Sequence, residues 1–290
     1  MLYIIANLLS GRDKGKKALA AVEKYLQESK EEYKVFVSSY KGHSVELGRL
    51  CAGDDACTVV AVLGGDGTFN EVLNGFYPSQ KPIGFIPAGT GNDFARSALL
   101  CKDPVERIKS ILKKNTVKTD IIFSNKGYCL NLLGTGIDVE LLLRSNKYRK
   151  VFKSSFSYYL ALIITLFCFK DRDYTFKLDD GPLRTEKGFL MAFANGKYGG
   201  GGLPIATKSS INDGMLDFVL IKKLNRLRLP YLFARFLKGN LLEIDCVEHY
   251  YCKRLELTVE PSLPLNLDGE LYPYEPLKAE IIAGGINMCV

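Results

Sequence analysis

The run Thr58–Leu63 (TVVAVL) stops abruptly at Gly64-Gly65-Asp66-Gly67, and this junction restricts the fold more than any other stretch. A short β-branched run without polar alternation reads as a strand buried on both faces, as in parallel sheets. The pattern recurs at Ile83–Ile86 (IGFI), which leads through Pro87 into Ala88-Gly89-Thr90-Gly91-Asn92-Asp93. Leu2–Ala6 and Lys34–Val37 add two more strand signals, and between them Ala18, Ala21, Val22, Tyr25 and Leu26 recur at helical spacing. Strand and helix alternating in this way predict an α/β domain with a parallel sheet covered on both faces.

The pattern changes after Val117. Helical spacing is found over Asp138–Lys150 and Ser155–Phe169, and short β-rich segments follow (YTFKL, GFLMAFAN, LDFVLI, RLELTVE, LKAEII), separated by turn residues. A chain of 290 residues exceeds one small core. The expected division is residues 1–118, α/β, and residues 119–290, mostly antiparallel β, with a return of the extreme C-terminus to the first domain left open.

Composition removes several classes. With 47% hydrophobic and 24% charged residues, large-scale disorder is not expected. The net charge of +7 suits anionic lipid, nucleotide or nucleic acid without choosing among them, and no motif supports nucleic acid. The 8 cysteines are scattered without a CxxC pair, and with 2 histidines they predict neither a zinc cluster nor a disulfide framework. A reduced cytoplasmic setting follows as the expectation. The longest apolar run, Tyr158–Phe169, is shorter than the roughly 20 residues a spanning helix needs, so membrane contact is expected to be transient and peripheral.

Ligands of open parallel sheets collect beyond the carboxyl ends of the strands, where both glycine-rich segments fall. Thr68 and Glu71 have capping-box spacing, which predicts a helix beginning at Thr68, with Gly75 placed to end it. Glycines let the backbone approach a polyphosphate, and a helix N-terminus offers it N–H donors. Neither loop is a dinucleotide fingerprint, because Phe69 and Phe94 stand where a third glycine would be.

GGDGTFNEVLNG (Gly64–Gly75) together with PAGTGNDFAR (Pro87–Arg96) resembles the diacylglycerol kinase catalytic domain of bacterial YegS/DgkB-like lipid kinases, relatives of sphingosine and ceramide kinases. GGDGT alone is shared with NAD kinases and phosphofructokinases. The additions Asn70–Gly75 and Gly89–Phe94 point to the lipid branch. Asn7 with Ser10-Gly11, Asn195-Gly196 with Gly199–Gly202, Asn212–Asp217 and Leu267–Glu270 extend the resemblance along the chain. Leu8 and Thr207 depart from it, each replacing a proline of the family pattern.

The resemblance implies a phosphofructokinase/NAD kinase-like first domain and a β-sandwich second domain. It implies ATP-dependent phosphorylation of a lipid hydroxyl, with diacylglycerol or a related lipid alcohol as acceptor. A sphingoid base or phosphatidylglycerol is the alternative acceptor, and a non-catalytic lipid-binding protein on a kinase fold is the rival of another class. Nucleotide contacts are implied for Ser38 (or Ser39), Gly64, Gly65, Asp66, Gly67, Thr68, Phe69, Asn70, Glu71, Gly89 and Thr90, with Asp66, Asn92 and Asp93 organising phosphates or Mg2+. A second, structural metal is implied at Asp213 with main-chain oxygens of Ser210 and Met215, Asp217 helping through water.

A lipid hydroxyl needs a general base. Glu270 matches the family's base, while Asp268 and Asp66 remain competitors. If Asp268–Glu270 is extended, both carboxylates share one face of a strand. Two basic-apolar stretches could meet an anionic membrane. One is Arg144–Phe169, with Lys147, Arg149, Lys150 and Lys153; the other is Lys222–Lys238, with Arg226, Arg228 and Arg235. The alternative for each is an amphipathic helix packed on its own domain. A homodimer is left open.

Overall fold

The computed structural model describes residues 1–149, 161, 164–223, 225–259 and 263–290. The side chains of Lys147, Arg149, Lys150 and Lys153, and residues 158–160, 162 and 163 of the apolar run, lie outside the described ones. The chain forms two compact units. The first is Met1–Leu130 with Ser210–Gly214 and Ile282–Val290; the second is Asn131–Ser209 with Met215–Ile281. The first unit thus runs past residue 118, because β5 (Thr116–Ser124) and β6 (Gly127–Cys129) pair with each other and stay with its sheet.

In the first unit β1 (Leu2–Ala6), β2 (Tyr33–Val37), β3 (Val59–Gly64) and β4 (Ile83–Pro87) run parallel in the order β4-β3-β1-β2. Residues 282–289 of the last strand lie parallel to β4 and pair with β5 on their other side. Alternate residues enter different cores. Tyr3, Ile5, Val60 and Val62 face one cluster; Leu2, Ile4, Ala6, Val59, Ala61 and Leu63 face the other. Both faces are dry, which is why the strands read as unbroken apolar runs.

Helix α1 (Lys14–Glu28) buries Leu19, Val22 and Leu26. α2 (His43–Gly53) and α3 (Asp66–Phe76) meet through glycines: a Cβ on Gly75 would sit 1.9 Å from the Val45 carbonyl oxygen, and one on Gly48 would sit 2.5 Å from that of Val72. Gly75 therefore permits close helix packing and does not terminate α3, which ends one residue later. Nor does α3 begin at Thr68. It begins at Asp66, Gly65 is its N-cap, and no side chain caps it. After α4 (Asp93–Ser97), α5 (Pro104–Lys113) carries Arg107, a buried guanidinium that donates to the carbonyls of Phe85 (3.1 Å) and Cys289 (3.0 Å). It fastens the last strand beside β4.

The second unit is antiparallel β, as expected. β7 (Leu132–Gly136) leads into α6 (Ile137–Arg149), and β8 (Arg172–Leu178) and β9 (Arg184–Ala194) follow. The hairpin β10 (Tyr198–Gly199) and β11 (Leu203–Pro204) precedes β12 (Leu216–Lys222). Then come α7 (Leu229–Leu237), β13 (Val247–Cys252), β14 (Arg254–Val259), β15 (Leu265–Leu267), β16 (Glu270–Tyr272) and β17 (Leu277–Cys289). β9 is the hub: Arg184–Gly188 pairs with β8, and Leu190–Ala194 pairs with both β7 and β12. Leu232 of α7 joins Leu132, Leu190, Val219 and Leu241 in one core.

Candidate active site

Four strand ends of the first unit carry the candidate nucleotide loops. Beyond β1, Asn7 donates from its amide to Thr68 Oγ1 (3.1 Å). Beyond β3, Gly64 has Thr68 folded over it, so that a Cβ there would lie 2.6 Å from Thr68 Cβ. Beyond β4, Gly89 packs on Gly65, where a Cβ would come within 2.6 Å of Gly65 Cα. Beyond β2, Ser38 Oγ accepts from Ser44 Oγ (3.0 Å), and the Ser39 N–H donates to His43 Nδ1 (3.1 Å). The two glycine loops are thus neighbours on one sheet edge. The first turn of α3 also faces this edge, with N–H groups that a helix cannot satisfy from within.

Asp66 ties the loops together. Its Oδ2 accepts the Asp93 N–H (3.1 Å) and its Oδ1 accepts the Phe94 N–H (3.2 Å), capping α4. Asn92, in left-handed conformation (φ 53°), closes its own loop by accepting from the Gly89 N–H (3.0 Å) and donating to the Gly89 carbonyl (3.1 Å). Gly67 and Thr90 are exposed at this edge.

Other expected nucleotide ligands have structural duties. Phe69 is fully buried and stacks on Phe85 (4.8 Å) and Phe94 (5.7 Å), so its ring joins the core and not the ligand edge. Glu71 does not complete a capping box, because its Oε1 accepts the Gly42 N–H (3.1 Å) at the start of α2. Asn70 and Asn74 donate to the Tyr128 carbonyl (3.0 and 2.9 Å), and Asn74 Oδ1 accepts the Tyr128 N–H (2.9 Å). The Asn-Glu-x-x-x-Asn-Gly half of the first motif is therefore a set of joints holding α3 to β6 and α2.

In the second unit Asp268-Gly269 is the two-residue turn of the β15–β16 hairpin. Asp268 has φ 47° and Gly269 has φ 89°, and Leu267 pairs with Glu270. Positive φ at both positions is the type I′ hairpin geometry. The segment is not extended, so the two carboxylates do not share a strand face. Asp268 Oδ1 accepts the N–H groups of Asn131 (3.0 Å) and Leu132 (2.9 Å), and its own N–H returns to the Leu132 carbonyl (2.9 Å). Glu270 is exposed just past the turn.

Several residues that hold these loops carried no sequence signal of their own. Asn131 receives the N–H groups of Asn195 (2.9 Å) and Gly196 (3.0 Å) on its carbonyl, and its side chain donates to the Tyr198 carbonyl (2.6 Å). It thereby connects the Asn195–Gly202 segment to the Asp268 clamp. Asn266 Oδ1 accepts the Gly269 N–H (2.9 Å), and its amide donates to Asp138 Oδ2 (2.8 Å). The other Asp138 oxygen is buried with no hydrogen-bond partner among the described residues. Burial pushes this carboxyl up to about 6, with the Asn266 amide opposing the shift. The pairing of Asn and Asp across β15 and α6 depends on tertiary register, which one sequence does not display.

Asp120 organises the candidate metal loop. Its N–H donates to the Ile211 carbonyl (2.7 Å), while its carboxylate accepts the N–H groups of Gly214 and Gly284 (2.7 Å each). Ser210 and Asp213 lie on this loop, Asp213 exposed, and Met215 opens the second unit. Among the described residues no group of three or more His, Cys, Asp and Glu gathers for a metal. The oxygens that Ser210 and Asp213 carry are of the hard kind that Mg2+ or Ca2+ takes. Asp217 is buried and its Oδ1 meets His249 Nε2 at 2.5 Å, a pair the sequence did not suggest.

The profile described as the diacylglycerol kinase catalytic domain matches residues 1–123, and that of the YegS C-terminal NAD kinase beta sandwich-like domain matches residues 131–290. The chain belongs to the YegS-type lipid kinases. A Staphylococcus aureus protein provisionally named a lipid kinase is 29% identical over 233 residues, 79% of this chain and 76% of the relative. A Bacillus anthracis structure provisionally named a diacylglycerol kinase superposes with TM-score 0.82 at 24% identity, covering 99% of this chain and 96% of that one. An Archaeoglobus fulgidus NAD kinase solved with ATP reaches TM-score 0.55 at 14% identity over 97% and 90% of the two chains. The lipid kinase thus shares its fold with NAD kinases. Among its described residues no helix is long and apolar enough to cross a membrane.

Proposed function

We propose that this lipid kinase transfers the terminal phosphoryl group of ATP to the hydroxyl of diacylglycerol or a closely related lipid alcohol, with Glu270 as general base. One observation carries the base assignment: both rival carboxylates are committed to backbone N–H groups. Asp66 caps α4 with both oxygens, and Asp268 clamps Asn131 and Leu132. Glu270 is exposed just past the β15–β16 turn, and its match to the base residue of the family pattern supports it as acceptor of the hydroxyl proton.

Phosphoryl transfer asks the protein chiefly to position reactants and offset charge. The glycine edge of the first unit, with the first turn of α3 and Gly67, Thr68 and Thr90, binds the ATP phosphates, and Ser38 reaches the nucleoside end. Asp93 and Asn92 are the oxygen-bearing residues of this edge that would hold a nucleotide-bound Mg2+, which would offset phosphate charge. Ser210, Asp213 and Met215 would hold a second cation whose role is structural.

The test is labelled ATP transfer onto a panel of diacylglycerol, phosphatidylglycerol and a sphingoid base, with wild type and Glu270→Ala. Diacylglycerol is expected to be labelled best, and Glu270→Ala is expected to lose about 10²–10⁴ in turnover with ATP affinity kept. Preferential labelling of another lipid replaces the acceptor; undiminished turnover in the variant removes the base assignment.

A further inference from the structure

The two basic-apolar stretches meet in the fold. Arg226 donates from its guanidinium to the carbonyls of Phe167 and Phe169, joining the end of the helical residues 164–168 to the segment preceding α7. Apolar side chains stand open around this joint: Leu227 is 91% exposed, Tyr231 55%, Leu237 53% and Phe167 52%. Positions 227, 231, 234 and 238 are all exposed at helical spacing, while Leu229 and Leu232 on the other side of α7 are buried. The helix thus covers its own domain with one face and still presents leucine and tyrosine outward.

The cations of this region divide into two kinds. Arg228 is paired with Asp245 (3.0 Å) and Arg235 with Glu243 (2.6 Å). Lys170, Lys223 and Lys238 are exposed and have no carboxylate partner among the described residues, and Arg226 is held only by neutral carbonyls. An outward apolar ridge flanked by cations without a carboxylate partner among the described residues is complementary to an anionic bilayer surface, where apolar tips enter the acyl boundary and cations meet headgroups.

We propose that the face formed by Phe167, Leu227, Tyr231 and Leu237, ringed by Lys170, Lys223, Arg226 and Lys238, docks this kinase on anionic membrane. The proposal rests on the lipid-kinase reading and specifies its working surface. Arg228 and Arg235 hold the helix in place and contribute little attraction.

Co-sedimentation with vesicles tests it, without substrate, so that an error in the proposed acceptor leaves the measurement intact. The vesicles are phosphatidylcholine alone, or phosphatidylcholine with an equal part of phosphatidylglycerol, each at low and high sodium chloride. Wild type is expected on the anionic vesicles at low salt and released by salt. Each cation near such a surface is worth about a fivefold change in partitioning, so K223E/K238E is expected to bind at least about 25-fold more weakly. L227D is expected to lose about tenfold or more through its lost apolar burial. The paired exchange R228Q/D245N is expected to change binding less than about twofold.

Transfer to a water-dispersed short-chain diacylglycerol should survive K223E/K238E, which shows that the variant is folded. Binding indifferent to lipid charge, or wild-type binding by K223E/K238E or L227D, overturns the proposal. So does a sedimentation-velocity shift from dimer to monomer in L227D with vesicle binding unchanged, which would make the face a contact between two copies.

Discussion

Replacing Asp268 by alanine and by asparagine separates a clamp from a base. Asp268 Oδ1 accepts two backbone N–H groups, at 3.0 and 2.9 Å, from buried Asn131 and Leu132. Hydrogen bonds to an ionised group are worth about 1.5–3 kcal/mol each, so alanine forfeits about 3–6 kcal/mol. The residue also has φ 47°, a conformation that costs alanine about a further 1 kcal/mol. The total, about 4–7 kcal/mol, is a large share of the roughly 5–15 kcal/mol by which a domain is stable. Asparagine keeps an oxygen in the same place and tolerates the left-handed conformation, losing mainly charge assistance, about half of each bond. Thermal unfolding and initial rates of Asp268→Ala, Asp268→Asn and Glu270→Ala, measured together, decide the matter. Asp268→Ala is expected to unfold far below wild type, Asp268→Asn to retain most of its turnover, and Glu270→Ala to fold normally with turnover down by about 10²–10⁴. An Asp268→Asn enzyme with wild-type melting and a turnover loss of about 10²–10⁴ would refute the clamp and make Asp268 the base.

Asp66→Asn places an amide NH2 against one of two N–H donors at the start of α4, so a loss of about 2–4 kcal/mol of loop coupling is expected; calorimetry should show weakened ATP binding, where a pure base role predicts unchanged affinity. Asn266→Ala frees the Gly269 N–H and is expected to lower kcat while leaving the KM for ATP near wild type in steady-state assays. Gly75→Ala would set a Cβ 1.9 Å from the Val45 carbonyl oxygen, and a drop of about 2–3 kcal/mol is expected in urea unfolding. For Asp138, the folded carboxyl at about 6 lies above its ordinary 3.8, so the folded state holds the proton more tightly and stability falls as pH rises between those values. Asp138→Asn is therefore expected to match wild type near the lower value and to exceed it by about 2–3 kcal/mol above pH 7, read from unfolding curves across pH.

The parallel sheet and its ligand edge were legible because a strand dry on both faces leaves an unbroken apolar run, and such runs stop at glycines where the chain must turn. The motif residues were legible as a group, yet their individual duties were not. The resemblance implies nucleotide contacts for Asn70 and Glu71, and Asn74 belongs to the same motif. In the fold they satisfy backbone groups of Tyr128 and Gly42, far along the chain. The capping-box reading of Thr68 and Glu71 failed for the same reason, since Asn7 and Gly42 took the partners local spacing had assigned. Asp268-Gly269 is a hairpin turn where an extended segment was the condition for the two carboxylates to share a face, because both residues take positive φ. Asp120, Asn131 and Asn266 had no motif to mark them, because their partners are main-chain atoms, and a main-chain atom leaves no letter in the sequence.

The return of the last strand to the first unit sets an order of assembly. Ile286, Met288 and Cys289 fill cores built mostly from residues before Leu130, and Arg107 waits for the Cys289 carbonyl. During synthesis the nucleotide-binding half therefore emerges first and is finished last, after the entire β domain has been made. Until then the β4 edge that receives the strand is bare and the Arg107 guanidinium has the Phe85 carbonyl without that of Cys289. The two halves are consequently not exchangeable cassettes: a fragment ending at Leu130 lacks part of its own interior, and a chimera that swaps the second half must carry a matching final strand.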